Sequence, residues 1–409
     1  MNFANHRFVC LRFLGLAENG RLQILDLRRD SPTYHFDYEY KLVEDNYNGR
    51  TVQKFSSNAK EEMWDCPNCP YSEYEKFVNY YDVYDYGDQW VQAALKGEQT
   101  SFANGNADFS DLGRPARAEG IKVFTKFMNI YMYVIRTMEH SLDQCEQDCV
   151  GGCDDSPLRA WDQALAFYAG SLEGISGDVE SVLLFDLADR MCVQFRTCGT
   201  TATLDSGTSF VNNAVVSEFQ NGQKHVLKRN CDRVRKSKDR IVKLMAIPLV
   251  QATLHMAYQQ SFAPQATEER VLIDEVKGAA YAATVLPLVH DCGKKDAASI
   301  YENLKYKNGE MRDVVDFSAV KDAFERNYEC MGITCEEVGG IWTKDGYSEF
   351  ALPCNGASSK FYFTTLVCVL ILSCFLFVRF RMQEGIDRNF ERDSPNFPGI
   401  FQRNTRSFD

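Results

Sequence analysis

The sequence contains none of the motifs on which the common enzyme families depend. It has only six histidines, no His-Glu-x-x-His, no Gly-x-Ser-x-Gly and no phosphate-binding loop. Leu204–Ser209 (LDSGTS) is similar to a fragment of an aspartic protease. Such an enzyme needs a second carboxylate on a matching β-lobe, and the fragment occurs once in a chain with few alternating β patterns. We therefore predict that the protein is not an enzyme.

Net positive charge is also missing. The formal net charge is −12 at pH 7, which argues against a nucleic-acid partner because the phosphates would be repelled. One basic run, Lys224–Lys243, is the exception. Its pattern is typical of the solvated face of a helix, with an anion or membrane contact as the alternative.

Cysteine, in contrast, is abundant, with fifteen residues. Setting aside Cys10, Cys368 and Cys374 leaves an even number, which favours a disulfide-bonded protein in an oxidising compartment. The remaining twelve are Cys66, Cys69, Cys145, Cys149, Cys153, Cys192, Cys198, Cys231, Cys292, Cys330, Cys335 and Cys354. The first two have the spacing of a zinc-ligand pair, but no second pair has it. A local disulfide is therefore favoured over structural zinc.

A long apolar run lies near the C-terminus. Residues 361–378 carry no charge, and as a helix they would extend roughly 27 Å, enough to cross a bilayer. Arg379 and Arg381 follow, which predicts a single-pass plasma-membrane protein with its N-terminus outside. Residues 382–409 are then a disordered cytoplasmic tail. The alternative for residues 361–378 is a buried core helix. The chain has no Asn-x-Ser/Thr sequon, so glycosylation gives no support for export.

The remaining chain divides into three parts. Residues 1–70 are polar and irregular, and their poor signal sequence predicts a start upstream of Met1 or a partly artefactual segment. Within 71–355 the apolar periodicity predicts helices, most clearly over Ile121–Leu142. VQAAL at Val91–Leu95 recurs as VQATL at Val250–Leu254, which indicates two related lobes, 71–200 and 201–355. The predicted fold is mostly α, with two pseudo-repeated helical lobes, a disulfide-bonded ectodomain and one C-terminal transmembrane helix.

Several blocks of sequence resemble one family. YGDQWVQAALKG, FMNIYMYVIRTMEHSLDQC, WDQALAFYAGSLEG and YECMGITCEEVGG are similar to the iron-assimilating proteins of algae, which include the diatom phytotransferrins, also called iron-starvation-induced proteins. The resemblance covers residues 76–340. One departure is Arg190-Met191, where the family pattern has Lys-Arg before a cysteine.

The resemblance implies a function. It implies a cell-surface protein that binds ferric iron with carbonate and enters endosomal vesicles by endocytosis. Because protons compete with iron for phenol and imidazole ligands, we also expect iron release on acidification. The endocytic machinery and a ferric reductase would be its partners. The alternative is a surface receptor or adhesion protein of the same build that binds no metal.

The candidate iron ligands are oxygen and imidazole side chains, because ferric ion is a hard cation. One predicted helix puts Asn129, Tyr133, Arg136, His140 and Asp143 on a single stripe. Tyr133 and Asp143 are roughly 15 Å apart along such a helix, so only its C-terminal half can contribute to one site. Arg136 is predicted to hold the carbonate, since its planar fork matches two oxygens. A hydrated helix face is the alternative.

The phenolate must come from another segment. The acidic and aromatic stretch 79–88 (NYYDVYDYGD) is the first source, followed by residues around the AGSLEG turn. The predicted metal-site residues are Tyr81, Asp82, Tyr84, Asp85, Tyr86, Asp88, Glu139, His140, Asp143, Tyr168 and Glu173. Tyr131, His255 and His290 lie in apolar patterns and are predicted to be core or boundary residues.

Overall fold

The computed structural model describes residues 52–147, 156–170, 183–262, 267–306 and 314–354. It also gives the backbone of two antiparallel strands, β1 (Arg21–Leu25) and β2 (His35–Glu39). Glu173, the predicted membrane span 361–378 and the tail 382–409 lie outside the described residues.

The described residues are mostly helical, as the sequence predicts. The helices are α1 (Val52–Ser57), α2 (Ala59–Met63), α3 (Ser72–Tyr81), α4 (Tyr86–Lys96), α5 (Arg114–Val123), α6 (Ile130–Glu146), α7 (Ser156–Ala169), α8 (Leu184–Phe195), α9 (Phe210–Val226), α10 (Cys231–Phe262), α11 (Glu268–Cys292), α12 (Lys294–Leu304), α13 (Phe317–Glu325), α14 (Tyr328–Met331) and α15 (Cys335–Val338). A small hairpin, β3 (Trp342–Thr343) and β4 (Gly346–Tyr347), follows them.

The helix predicted over Ile121–Leu142 is present, but a π-helical segment, Phe124–Asn129, separates α5 from α6. Asn129 is buried there, and its side-chain amide donates to Phe124 O at 3.2 Å and to Gly87 O of α4 at 3.1 Å. A Cβ at Gly87 would lie 2.2 Å from the Asn129 side chain, so only glycine permits this approach. Asn129 therefore joins α6 to α4 and does not belong to a solvated stripe.

The core is built around the long helix α10. Within the described residues it is the one helix long and apolar enough to cross a membrane, but 83% of its most apolar 18-residue window is buried inside the protein. The start of α10 falls in the basic run Lys224–Lys243. Lys238 is only 4% exposed and forms an ion pair with Glu139 of α6, so this lysine is not part of a solvated face.

The disulfide prediction is confirmed for the described cysteines. The bonded pairs are Cys66–Cys69, Cys145–Cys231, Cys192–Cys198 and Cys292–Cys330. Cys335 and Cys354 are also disulfide-bonded, whereas Cys149 and Cys153 lie outside the described residues. The pair Cys145–Cys231 fixes the C-terminal end of α6 to the start of α10.

The described residues between 52 and 353 belong to one compact unit, and a second unit begins at Cys354. Helices of both predicted lobes lie in the first unit, where α6 and α10 meet at the Glu139–Lys238 pair. The division at residue 200 remains a prediction.

Candidate functional site

A cavity of about 580 Å³ lies between α6 and the turn that follows α2. Polar and ionisable side chains supply most of its wall. The lining residues are Glu62, Cys66, Pro67, Asn68, Tyr71, Arg136, His140, Asp143, Gln144, Glu146 and Gln147.

Helix α6 supplies one wall of this cavity. Arg136, His140 and Asp143 follow one another at spacings of four and three residues, which aligns them on one face. The opposite face carries Met138 and Leu142, which are at most 1% exposed. Burial of that apolar face against the core therefore turns the polar stripe towards the cavity.

The turn between α2 and α3 supplies the other wall. The Cys66–Cys69 disulfide closes it, and Asn68 takes the left-handed conformation, with φ of 63°. Asn68 Nδ2 donates to Asp143 Oδ1 at 3.1 Å, and the Tyr71 hydroxyl donates to Asp143 Oδ2 at 2.6 Å. The rigid turn thus places an amide and a phenol on the two oxygens of one carboxylate.

A carboxylate of α2 meets the arginine of the stripe. Glu62 Oε2 lies 3.1 Å from Arg136 Nε. The side chains remain 33% and 23% exposed respectively, so solvent screens the pair and its contribution to stability is small. Its role in the cavity is to orient the guanidinium group.

Two groups of the cavity have shifted pKa values. Burial raises the pKa of Tyr71 far above its usual value, and the hydrogen bond and charge of Asp143 raise it further. Burial lowers the pKa of His140, as does Arg136, although Asp143 and Glu62 oppose the shift. At neutral pH the phenol is therefore protonated and the imidazole is neutral. His140 Nε2 lies 2.9 Å from the side-chain nitrogen of Gln144, so a metal ion at that atom would displace the amide.

The structure brings together three of the residues that the sequence proposed for the site, namely Arg136, His140 and Asp143. Glu139 lies on a different face of α6. It is 6% exposed, and Lys238 Nζ lies 2.6 Å from its Oε1. Because α6 turns by about 100° per residue, Glu139 cannot share the face of its neighbour His140.

Three of the proposed tyrosines are core residues. Tyr81 donates to Ala283 O at 2.6 Å, and Tyr168 donates to Asn212 Oδ1 at 2.6 Å. Tyr86 stacks on the ring of Phe77 at 5.3 Å. Burial raises the pKa of all three phenols well above the usual value. None of them lines the cavity.

The other proposed residues of the stretch 79–88 form the junction between α3 and α4. Asp82 is exposed and ends α3 in the left-handed conformation. The ring of Tyr84 packs edge-on against Trp64 at 5.3 Å. Asp85 accepts a hydrogen bond from Gln89 at 2.7 Å.

Asp88 completes the list of residues from this stretch. Its backbone N–H donates to the Ser56 hydroxyl at 3.0 Å, and its side chain does not line the cavity. The stretch therefore connects two helices and caps them, and the cavity takes its phenol from Tyr71.

Sequence reasoning missed Glu62, Asn68 and Tyr71. The available signal was the Cys66–Cys69 turn, which the sequence already marked as a disulfide directly before Tyr71. Among the described residues, no group of three or more His, Cys, Asp and Glu side chains lies close enough together to hold a metal ion. A metal in this cavity would therefore depend on the phenol and on an added anion.

Comparison with protein-family models, curated proteins and solved structures finds no match to this chain.

Proposed function

We propose that the protein binds ferric iron, in the manner of the phytotransferrins, with carbonate as the partner anion. The observation that carries the proposal is the 2.6 Å contact between the Tyr71 hydroxyl and Asp143 Oδ2, in a cavity that also contains His140, Glu62 and Arg136. Phenolate, carboxylate and imidazole are the ligand types that suit Fe(III).

The spacing of Tyr71 and Asp143 suits two neighbouring ligands of one ion. Small hard cations bind oxygen at about 2 Å, and two such bonds at right angles place the oxygens about 2.8 Å apart. The hydroxyl proton now fills the space between these atoms at 2.6 Å. Iron would replace that proton, and Asn68 would keep the second carboxylate oxygen in place.

The partner anion is assigned to Arg136. Its Nε atom faces Glu62, and we assign its terminal nitrogens to carbonate, whose planar oxygens match a guanidinium fork. Carbonate would supply the ligand oxygens that the described side chains do not. His140 and Glu62 are the remaining ligand candidates.

Acidification should release the iron. The raised pKa of Tyr71 means that protons compete strongly for the phenolate oxygen as the pH falls. Carbonate is protonated and lost over the same range, and burial lowers the pKa of His140, so this imidazole gains a proton only below its usual range. Binding should therefore be tight near pH 8 and weak near pH 5.

The cellular part of the proposal rests on the sequence. We assign residues 361–378 to a single membrane span, residues 71–200 and 201–355 to two related lobes outside the cell, and residues 382–409 to a cytoplasmic tail that engages the endocytic machinery. A ferric reductase would act on the released iron.

Equilibrium iron binding tests the proposal. The purified protein should bind ferric iron at pH 8 in a bicarbonate-dependent way and lose it at pH 5. Arg136→Gln should weaken the bicarbonate dependence, whereas Arg114→Gln, a change at an exposed arginine of α5, should not. Iron affinity that is unchanged by bicarbonate and by pH would contradict the carbonate-dependent site, and the absence of iron binding would favour the alternative, a receptor or adhesion protein without a metal.

A further inference from the structure

A second cavity, of about 320 Å³, lies between α6 and the first turns of α7. Its wall contains two guanidinium groups and one imidazole, and none of the lining residues that the structure describes is acidic. The lining residues are Arg136, His140, Gln144, Ser156, Arg159, Ala160 and Gln163. It shares three residues with the first cavity, whose wall includes Glu62, Asp143 and Glu146. Counted over the described lining residues, the two cavities therefore differ in the sign of their charge.

Arg159 is the residue that distinguishes the second cavity. It is exposed, and in the described part of the chain it has no ion pair or hydrogen bond. Arg136, in contrast, is paired with Glu62. An arginine without a partner among the described residues, on a wall where those residues include no carboxylate, has its donors available for an anion.

The position of the cavity is fixed by packing. The Ser141 hydroxyl donates to Pro157 O at 2.7 Å, which ties α6 to the first turn of α7. The rings of Tyr133 and Phe167 meet edge to face at 4.6 Å on the same pair of helices. The two arginines therefore project from helices that are already held together, so an anion would not need to bring α6 and α7 into contact.

We propose that this cavity binds a small dianionic oxyanion of the phosphate type between Arg136 and Arg159. Each guanidinium group can donate to two oxygens, and Gln163 supplies an amide on the same wall. Donors that come from two helices suit the four oxygens of a tetrahedral ion. The first turn of α7, a helix of fourteen residues, adds its positive end to the same region. This site uses the terminal nitrogens of Arg136, which the proposed iron site gives to carbonate, so phosphate would bind here in the iron-free protein.

The test is a titration of the iron-free, full-length protein with inorganic phosphate, followed by calorimetry at constant ionic strength. Arg159→Gln should weaken phosphate binding by at least about tenfold, because charge-assisted hydrogen bonds are lost. Arg159→Lys should recover part of the affinity, since it keeps the charge without the fork. Arg114→Gln removes an equally exposed arginine from the first turn of α5 and should leave the affinity unchanged.

Three results would overturn the inference. One is phosphate binding that Arg159→Gln does not change, and another is an equal loss in Arg114→Gln, which would indicate a general charge effect. The third is binding of citrate with none of phosphate, since that would assign the cavity to polycarboxylates. Iron binding measured in phosphate-free buffer should survive Arg159→Gln, so failure of the iron proposal and failure of this one are separate results.

Discussion

Replacing Lys238 by methionine should destabilise the fold by about 3–5 kcal/mol, the usual cost of leaving a buried charge without its partner. Lys238 and Glu139 have side chains that are only 6% and 8% exposed, and their charged atoms are 2.6 Å apart. Methionine keeps the apolar stem of the lysine but leaves the Glu139 carboxylate buried without a cation. At about 2–4 °C per kcal/mol, the melting temperature should fall by roughly 6–20 °C.

Replacing the other partner of the pair, Glu139, should destabilise the fold by less. In Glu139→Gln, Lys238 keeps a second partner, because Asp239 Oδ1 lies 3.0 Å from its Nζ and is half exposed. We expect a loss of about 1–3 kcal/mol. The double variant Lys238→Met/Glu139→Leu should lie closer to the native protein than Lys238→Met, because no buried charge remains.

The same pair predicts a pH dependence. Burial alone would lower the pKa of Lys238, but Glu139 and Asp239 outweigh it and hold that pKa above the usual 10.5. A raised lysine pKa contributes stability that is complete below the unfolded value and is lost as the pH rises through the folded value. The pair should therefore stabilise the fold at neutral pH and lose its effect above about pH 10.5.

Urea denaturation followed by circular dichroism, with the disulfides intact, measures these effects. The double variant is the control, and it should lack the alkaline loss that the native protein shows. A loss of stability below about 1 kcal/mol for Lys238→Met would refute the reasoning. A loss for Glu139→Gln that exceeds the loss for Lys238→Met would refute it as well.

Three further predictions follow from the described contacts and the sequence. Removing the Cys145–Cys231 disulfide, which joins residues 86 apart, by serine replacement should cost about 4–5 kcal/mol in urea denaturation; a change under about 1 kcal/mol would contradict its role in fixing α6. Tyr168→Phe removes the hydrogen bond to Asn212 and should cost about 1–2 kcal/mol while leaving iron binding intact; lost iron binding would return Tyr168 to the site. Deleting residues 383–409 should slow internalisation without changing the iron bound at the cell surface, and unchanged uptake kinetics would show an inert tail.

The parts of the fold that depend on local pattern could be predicted from the sequence. The apolar stripe through Val123, Phe127, Ile130, Val134 and Met138 is a local feature. Ile130 is half-buried, and the other four residues are buried as the stripe requires. The π-helical segment could not be predicted in the same way. It depends on the contact between Asn129 and Gly87, which are 42 residues apart.

The same difference between local patterns and contacts of distant residues decides which residues of the candidate site could be predicted. Arg136, His140 and Asp143 could be placed together because one helix sets their spacing. Tyr71 could not be assigned, since its position depends on a disulfide turn folding back on a helix 72 residues away. The composition of the stretch 79–88 favoured a metal site there. In the structure, Tyr81 and Tyr86 pack into the core while the aspartates beside them remain nearer the solvent.

The most direct test of the central claim is the visible spectrum of the iron-loaded protein. A phenolate bound to Fe(III) gives a charge-transfer band, and Tyr71→Phe should abolish it, because Tyr71 is the phenol that contacts Asp143 in the cavity. Tyr84→Phe is the matched control, since that ring packs against Trp64 outside the cavity and the band should survive its loss. A band that persists in Tyr71→Phe, or the absence of any band in the native protein with iron and bicarbonate, would contradict the assignment of this cavity to ferric iron.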